Sequence, residues 1–443
     1  MSNAHAYEDD DHVYEDTQQA LAPIAGSDGA LLSAHDARPV PRISIQAFCD
    51  TEDTAETVQM AAEDRRLSKA HVSVHMGGAA AAVAHYETSP TPNLIILEAT
   101  GSRDDVINQI DALAECCDVG TKVVIIGHVN DVILYRELIR RGVSEYLVSP
   151  VSPIMLMEGI SNLYNDPDSD PVGNVIAFIG AKGGVGSSTI CHNVAWTISE
   201  LLTSDVVVAD FDLAFGTTGL DFNQDPVQGI AEALQSPERL DEVLLDRLLT
   251  KCTEHLSIFA APVILDRDYD MSPEACETVV DVVRQNVPYV VVDLPHLWTD
   301  WNKQLLMQAD EIVITATPDL ANLRNTKNII ELVKTMRASD GPPHLVLNMI
   351  DMPKRPEIPV REFCQGLDVE PTVMIEFDSE TFGHAANNGQ MLEELSAKSP
   401  IVESIHDLSL ILTHRQEFKP QAKAQKKSGG GLAPLLEKLS LKR

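Results

Sequence analysis

No run of about 18 apolar residues occurs in the chain, and its opening stretch, MSNAHAYEDDDHVYED, is acidic rather than basic and apolar. Neither a spanning helix nor a secretory leader is therefore expected, and the reading is a cytoplasmic protein. Paired cysteine is also missing. The seven cysteines (Cys49, Cys116, Cys117, Cys191, Cys252, Cys276, Cys364) are scattered, odd in number and without a CxxC pair. They fit neither a disulfide framework nor a zinc site, and small core residues are expected. Basic charge is scarce, with 33 Lys and Arg against 67 Asp and Glu and a net charge of −34. A field of that sign repels nucleic-acid phosphates, so nucleic acid is not an expected partner.

What is present is ordinary for a globular protein: 44% hydrophobic and 23% charged residues over 443 positions, enough for two cores plus tails. Residues 1–40 are acidic, rich in Ala and Pro and poor in periodic pattern, and are expected to be a disordered arm. From 41 to 165 the short apolar runs ISIQAF, HVSVH, NLIILE, KVVIIG and SEYLVS alternate with segments of helical period such as DVILYRELIRRG. That alternation predicts an α/β unit in the doubly wound, flavodoxin-like order. The stretch YNDPDSDPVG reads as a linker. A second series over 174–416 offers the strands NVIAFIG, DVVVAD, LSIFAAP, YVVVDLP, EIVITATP, HLVLN and TVMIEF. Runs this continuously apolar predict a mostly parallel sheet covered on both faces. Residues 417–443 form a basic linker followed by LAPLLEKLSLKR.

The strongest local signal is GAKGGVGSST, Gly180 to Thr189, between the strand NVIAFI and a helical pattern. Gly183, Gly184 and Gly186 let successive amides turn inward, and with Val185, Ser187, Ser188, Thr189 and the following helix N-terminus they make a cradle for a di- or triphosphate. Asp210 and Asp212 in DVVVADFDLAFG and Asp293 in YVVVDLP close buried strands of the same sheet, so they converge on the crevice where such a sheet binds its ligand.

These motifs resemble the deviant Walker A proteins of the MinD/ParA family, whose loop reads K-G-G-x-G-K-[ST]. The resemblance runs from about Asn174 to Arg415. It implies a P-loop NTPase domain that binds ATP and Mg²⁺ and dimerises face to face around nucleotide. Lys182 falls on the signature lysine that reaches the phosphates across the dimer, and Ser188 on the hydroxyl that holds Mg²⁺. Asp210 falls on the Asp that supports Mg²⁺, Asp212 on the one that positions the attacking water, Asp293 on the Walker B Asp, and Asn348 on the adenine-contacting Asn. Asp319 and Arg324 lie where relatives place dimer and nucleotide contacts. One departure stands out: Ser187 replaces the ordinary P-loop lysine, which removes a point charge against the β/γ-phosphates and implies slow hydrolysis.

The first domain is similar to a response-regulator receiver. Asp50 with Glu52 or Asp53 can pass as the acidic pair, but Glu98 stands where the acceptor Asp belongs, Gly127-His128 where the hydroxyl belongs, and Ser149 where the Lys belongs. A pseudo-receiver that binds partners or packs on the ATPase domain is expected. This combination, with VVVDLPHLW and the stretch Arg239 to Pro262, resembles the TadZ/CpaE branch, which positions Tad (Flp) pilus assembly and secretion machinery. The alternative reading is an active ParA/MinD-like ATPase in partition or in cell-pole or division-site positioning. At the C-terminus Leu432, Leu435, Leu436 and Leu439 recur at helical spacing amid Lys and Arg. A segment so short folds only against a surface, and an anionic membrane at the inner face of the cell, a partner groove and a solvated end stay open.

Overall fold

A computed structural model of the chain describes residues 39–118, 120–164, 172–262, 271–416 and 418. The acidic arm, most of the linker and nearly all of the C-terminal segment lie outside the described residues.

Two separate sheets form. The first contains β1 (Ser44–Cys49), β2 (His71–Met76), β3 (Leu94–Ala99), β4 (Lys122–Gly127) and β5 (Glu145–Val148), in the order β2-β1-β3-β4-β5 and all parallel. This is the flavodoxin-like order expected of a receiver-like domain. Alternate residues of the central strands feed two cores, Ile45, Ala47 and Ile96 on one face and Phe48, Ile95 and Leu97 on the other.

The second sheet contains β6 (Asn174–Gly180), β7 (Val206–Asp210), β8 (Thr250–Lys251), β9 (Leu256–Phe259), β10 (Tyr289–Leu294), β11 (Glu311–Ala316), β12 (His344–Ile350) and β13 (Val373–Glu376). Its order is β13-β12-β11-β6-β10-β7-β9-β8, parallel except for the β8–β9 pair. The two-residue edge strand β8 is the element the apolar pattern does not reveal. Val175, Ala177 and Ile179 face one core, Ile176 and Phe178 the other. Because β6 lies between β10 and β11, the loop leaving its C-terminal end is flanked by the ends of both neighbours. Cys49, Cys191, Cys276 and Cys364 are buried as expected, while Cys116, Cys117 and Cys252 are only half-buried; all are free thiols.

The domains meet through charge. The turn Arg65–Leu67 of the receiver-like domain reaches the edge of the second sheet opposite the phosphate loop. Arg65 donates to Asp310 (3.0 Å), to Asp340 (3.0 Å) and to the Gln308 carbonyl (3.1 Å). Arg66 and Arg337 also pair with Asp340, Arg284 pairs with Asp310 at 2.8 Å, and Lys69 pairs with Asp281. Burial opposes ionisation of Asp340, but the guanidiniums of Arg65, Arg337 and Arg66 outweigh it and hold its pKa down at about 2.

The receiver-like site is filled from within. Glu98 is fully buried and accepts the Asp50 and Thr51 amides (2.7 and 2.8 Å), the Thr51 hydroxyl (2.9 Å) and a His128 ring hydrogen bond (3.0 Å). Burial works against the charged carboxylate, yet these donors, the Thr51 amide foremost, hold its pKa below the ordinary value. Asp50 is engaged by the Thr100 hydroxyl at 2.8 Å, whereas Glu52 and Asp53 sit in the first turn of a helix capped by Thr51. The carboxylates that would have to take up a phosphoryl group are thus already engaged by hydrogen-bond donors. Incubation with a small-molecule phosphodonor is expected to leave the intact mass unchanged, and a stable phosphoryl adduct on Glu98 or Asp50 would contradict this account.

Candidate functional site

The phosphate loop bends where the sequence places glycine: Gly184 and Gly186 have φ of 79° and 87°, in the left-handed region that side chains disfavour. The helix Ser187–Glu200 starts at Gly186 with no side-chain cap, so its first amides remain open toward the crevice. Open amides at a helix N-terminus attract an anion. Gly183 and Gly184 have no other group within 4 Å of where a side chain would begin, which leaves the loop accessible from outside.

Neighbouring strand ends hold the loop. Asn348, at the end of β12, donates from its amide to the Val185 carbonyl (2.8 Å) while its oxygen accepts the Met349 amide. The structure thereby gives Asn348 a loop-anchoring contact absent from the sequence reading. Asn325 donates to the Ala181 carbonyl (2.8 Å) and His296 to the Gly180 carbonyl (2.9 Å). Neither residue was picked out by motif, since each acts through a backbone atom distant in sequence. Lys182 is exposed, with its ammonium 3.8 Å from the Asp319 carboxylate, so these two predicted residues do meet. Arg324 instead bonds its chain neighbour Asn325.

Beneath the loop the predicted carboxylates converge. Asp210 and Asp293 are buried at paired positions of β7 and β10. Asp210 accepts the Asp212 amide (3.0 Å) and the Thr218 hydroxyl (2.6 Å). Asp293 is hydrogen-bonded to Ser188, and its Oδ1 is buried without a partner. Desolvation pushes both carboxyls above the ordinary range, and for Asp293 the charge of Asp210 adds to the rise. A buried, unpaired carboxylate oxygen beside a second carboxylate and a serine hydroxyl is a donor set that fits a hard cation such as Mg²⁺. Asp212 is half-exposed and accepts the Phe215 amide at 3.1 Å, so one of its oxygens closes its own turn. Ser187 sits where a lysine would reach forward, and its hydroxyl is buried without a partner.

The sequence reading missed His192, which is fully buried one turn into the helix after the loop. Its Nδ1 lies 2.7 Å from Asp221, and its Nε2 lies 3.0 Å from the Thr218 hydroxyl and 3.6 Å from Asp293. Burial alone would lower its pKa, but the hydrogen bond to Asp221 and the charges of Asp293, Asp221 and Asp210 raise it overall. No local pattern singled it out, since Asn193, Thr197 and Ser199 of the same helix are polar and buried as well.

Fold and loop together define a P-loop NTPase domain behind a receiver-like domain. A family described as an AAA domain matches residues 173–344. The septum site-determining protein MinD of Helicobacter pylori is 25% identical over 40% of this chain and 66% of its own length, just short of two thirds. That of Bacillus subtilis is 25% identical over 49% and 81%. A ParA family ATPase from Chlorobium tepidum shares the fold, with a TM-score of 0.50 and 24% identity over 54% of this chain and 98% of that one. A pilus assembly protein CpaE from Caulobacter crescentus is 46% identical over 29% of this chain and 98% of its own, with a TM-score of 0.29. The chain belongs to the MinD/ParA family, in its CpaE/TadZ-type branch.

Proposed function

We propose that this protein binds ATP with Mg²⁺, pairs face to face with a second copy around the nucleotide, and in that state positions the Tad (Flp) pilus assembly and secretion machinery. The buried Asp210–Asp293 pair under an open amide cradle is the observation that carries the reading. The cradle would hold the phosphates, and Ser188, Asp210 and Asp293 would hold the cation, which supplies charge neutralisation for the β/γ-phosphates. Exposed apolar side chains follow three strands of the second sheet: Phe215 after β7, Leu297 and Trp298 after β10, and Leu320 at the start of the helix after β11. Apolar groups so placed beside an exposed Lys182 suit association with a like surface. The CpaE relative, 46% identical over 29% of this chain, supports the choice of assembly partner. A cytoplasmic location, peripheral at the inner membrane face or cell pole, belongs to the same reading. No described helix is long and apolar enough to cross a membrane.

Calorimetric titration with ATP, with and without Mg²⁺, together with sedimentation velocity, tests this. Binding that requires Mg²⁺ and converts monomer to dimer is expected, and a chain that ignores ATP in both measurements sinks the proposal. ATP is expected to bind more tightly than GTP.

Turnover separates this from the alternative of an active ParA/MinD-like ATPase. With Ser187 in place of the lysine, steady-state hydrolysis is expected to be slow, and Ser187→Lys is expected to raise it by about tenfold or more, since charge-assisted contacts to a phosphate contribute about 1.5–3 kcal/mol. A vigorous rate in the unmodified chain would favour the alternative.

A further inference from the structure

We propose that His192 is a positioning residue that ties the carboxylate pair under the phosphate loop to the short helix Thr218–Asp221, and thereby controls how Phe215 and Leu220 are presented for self-association. This deepens the proposed function and rests on it for the association step.

The helix carrying His192 packs Ile190, Cys191, Val194 and Ala195 into a core, and His192 lies off that apolar stripe, buried against the segment Thr218–Asp221. A fully buried imidazole is retained only when its nitrogens are satisfied. Here two of its partners come from a single segment: Nδ1 donates to Asp221 (2.7 Å), and Nε2 meets the Thr218 hydroxyl (3.0 Å). That hydroxyl itself donates to Asp210 Oδ2 at 2.6 Å. The imidazole is thus linked through Thr218 to Asp210 and directly to Asp221, with Asp293 3.6 Å from Nε2. Thr217 adds a hydroxyl contact to Asp221 at 3.1 Å. Both ends of the four-residue helix are therefore held by one side chain of the phosphate-loop helix.

The segment before the helix is pressed on the same carboxylate. A side chain at Gly216 would come within 2.3 Å of Asp210 Oδ2 and 2.6 Å of the Ala261 Cβ, so the chain can pass only as glycine. Oδ2 of Asp210 is thus shared by the Thr218 hydroxyl and amide. A cation that drew on Oδ2 of Asp210 would compete with Thr218 for that oxygen. His192, bonded to Thr218 and Asp221 and 3.6 Å from Asp293, is placed to keep the segment attached while that exchange occurs. Phe215 and Leu220, 74% and 72% exposed, are carried by this segment, so its position sets theirs.

Asp221 is the accessible end of the clamp, since it touches none of the groups assigned to nucleotide. The test is Asp221→Ala in the full chain, read by hydrogen exchange of amides 212–222 and by sedimentation. Without nucleotide, exchange in this segment is expected to be at least tenfold faster than in the parent. With Mg²⁺ and ATP, self-association is expected to weaken at least tenfold while calorimetric affinity for nucleotide changes less than threefold. His192→Ala should reproduce the exchange signature, and His192→Gln, which keeps a donor, should restore part of the protection. Parent-like exchange and parent-like association in Asp221→Ala would overturn the proposal even if His192→Ala fails to fold. A parent chain that binds no ATP would overturn the nucleotide reading instead, and exchange in the nucleotide-free chain would still decide whether the clamp exists.

Discussion

Replacing Ser188 and Asp210 together by alanine is expected to weaken ATP binding in Mg²⁺ by about 100-fold or more, measured by calorimetric titration. Hydrogen bonds to charged groups contribute about 1.5–3 kcal/mol each, and about 1.4 kcal/mol is a factor of ten in affinity. Two lost contacts at the cation therefore reach at least two decades. Loss of fold is a poor competitor as an explanation. Asp210 and Asp293 are both desolvated, and the charge of Asp210 raises the pKa of Asp293, so removing Asp210 relieves that cost and offsets part of what Thr218 and His192 lose. The nucleotide-free variant is expected to unfold within about 1 kcal/mol of the parent. Unchanged ATP affinity in the double variant would show that the donor set has been wrongly assigned.

The second large effect lies at the other end of the molecule. Asp340→Ala removes the carboxylate shared by Arg65, Arg66 and Arg337, whose side chains are at least nine-tenths buried. Breaking a buried ion pair by deleting one partner costs about 3–5 kcal/mol, because the remaining charge is left uncompensated. That loss is expected in the denaturant unfolding of the full chain, with protease sensitivity appearing between the two sheets. The pH dependence follows the same residue. Its folded pKa, about 2, is below the ordinary value of 3.8, so its stabilisation is fully present above pH 4. It is lost as pH falls from about 4 toward 2, amounting to about 2 kcal/mol. A variant as stable as the parent at neutral pH, or a parent whose acid unfolding matches that of Asp340→Ala, would remove this network from the account of how the domains are held.

Much of this architecture was legible in the linear chain. Apolar runs such as NVIAFIG and YVVVDLP are continuous because a parallel strand buried on both faces needs an apolar side chain at every position. The glycines of Gly180 to Thr189 announce their turn because positive φ is accessible to few other residues. Asp210 and Asp293 could be placed beside the loop because strands of one parallel sheet end on one edge. The receiver-like domain's missing acceptor was visible from Glu98 alone.

Other features depended on the third dimension. That Glu98 fills its pocket with four donors, that Asn348 anchors the Val185 carbonyl, and that His296 and Asn325 hold the loop from behind were decided by packing. The contact between domains was equally hidden: Arg65 and Asp340 are 275 residues apart, and isolated Arg and Asp residues carry no periodicity or spacing that announces a pair. His192 shows the same limit, since a polar residue off the apolar stripe of its helix reveals its burial only once its neighbours are placed. Local patterns record what the backbone must do at each position. Which distant charges and carbonyls meet is set by how the layers close, and there the tertiary structure alone decided.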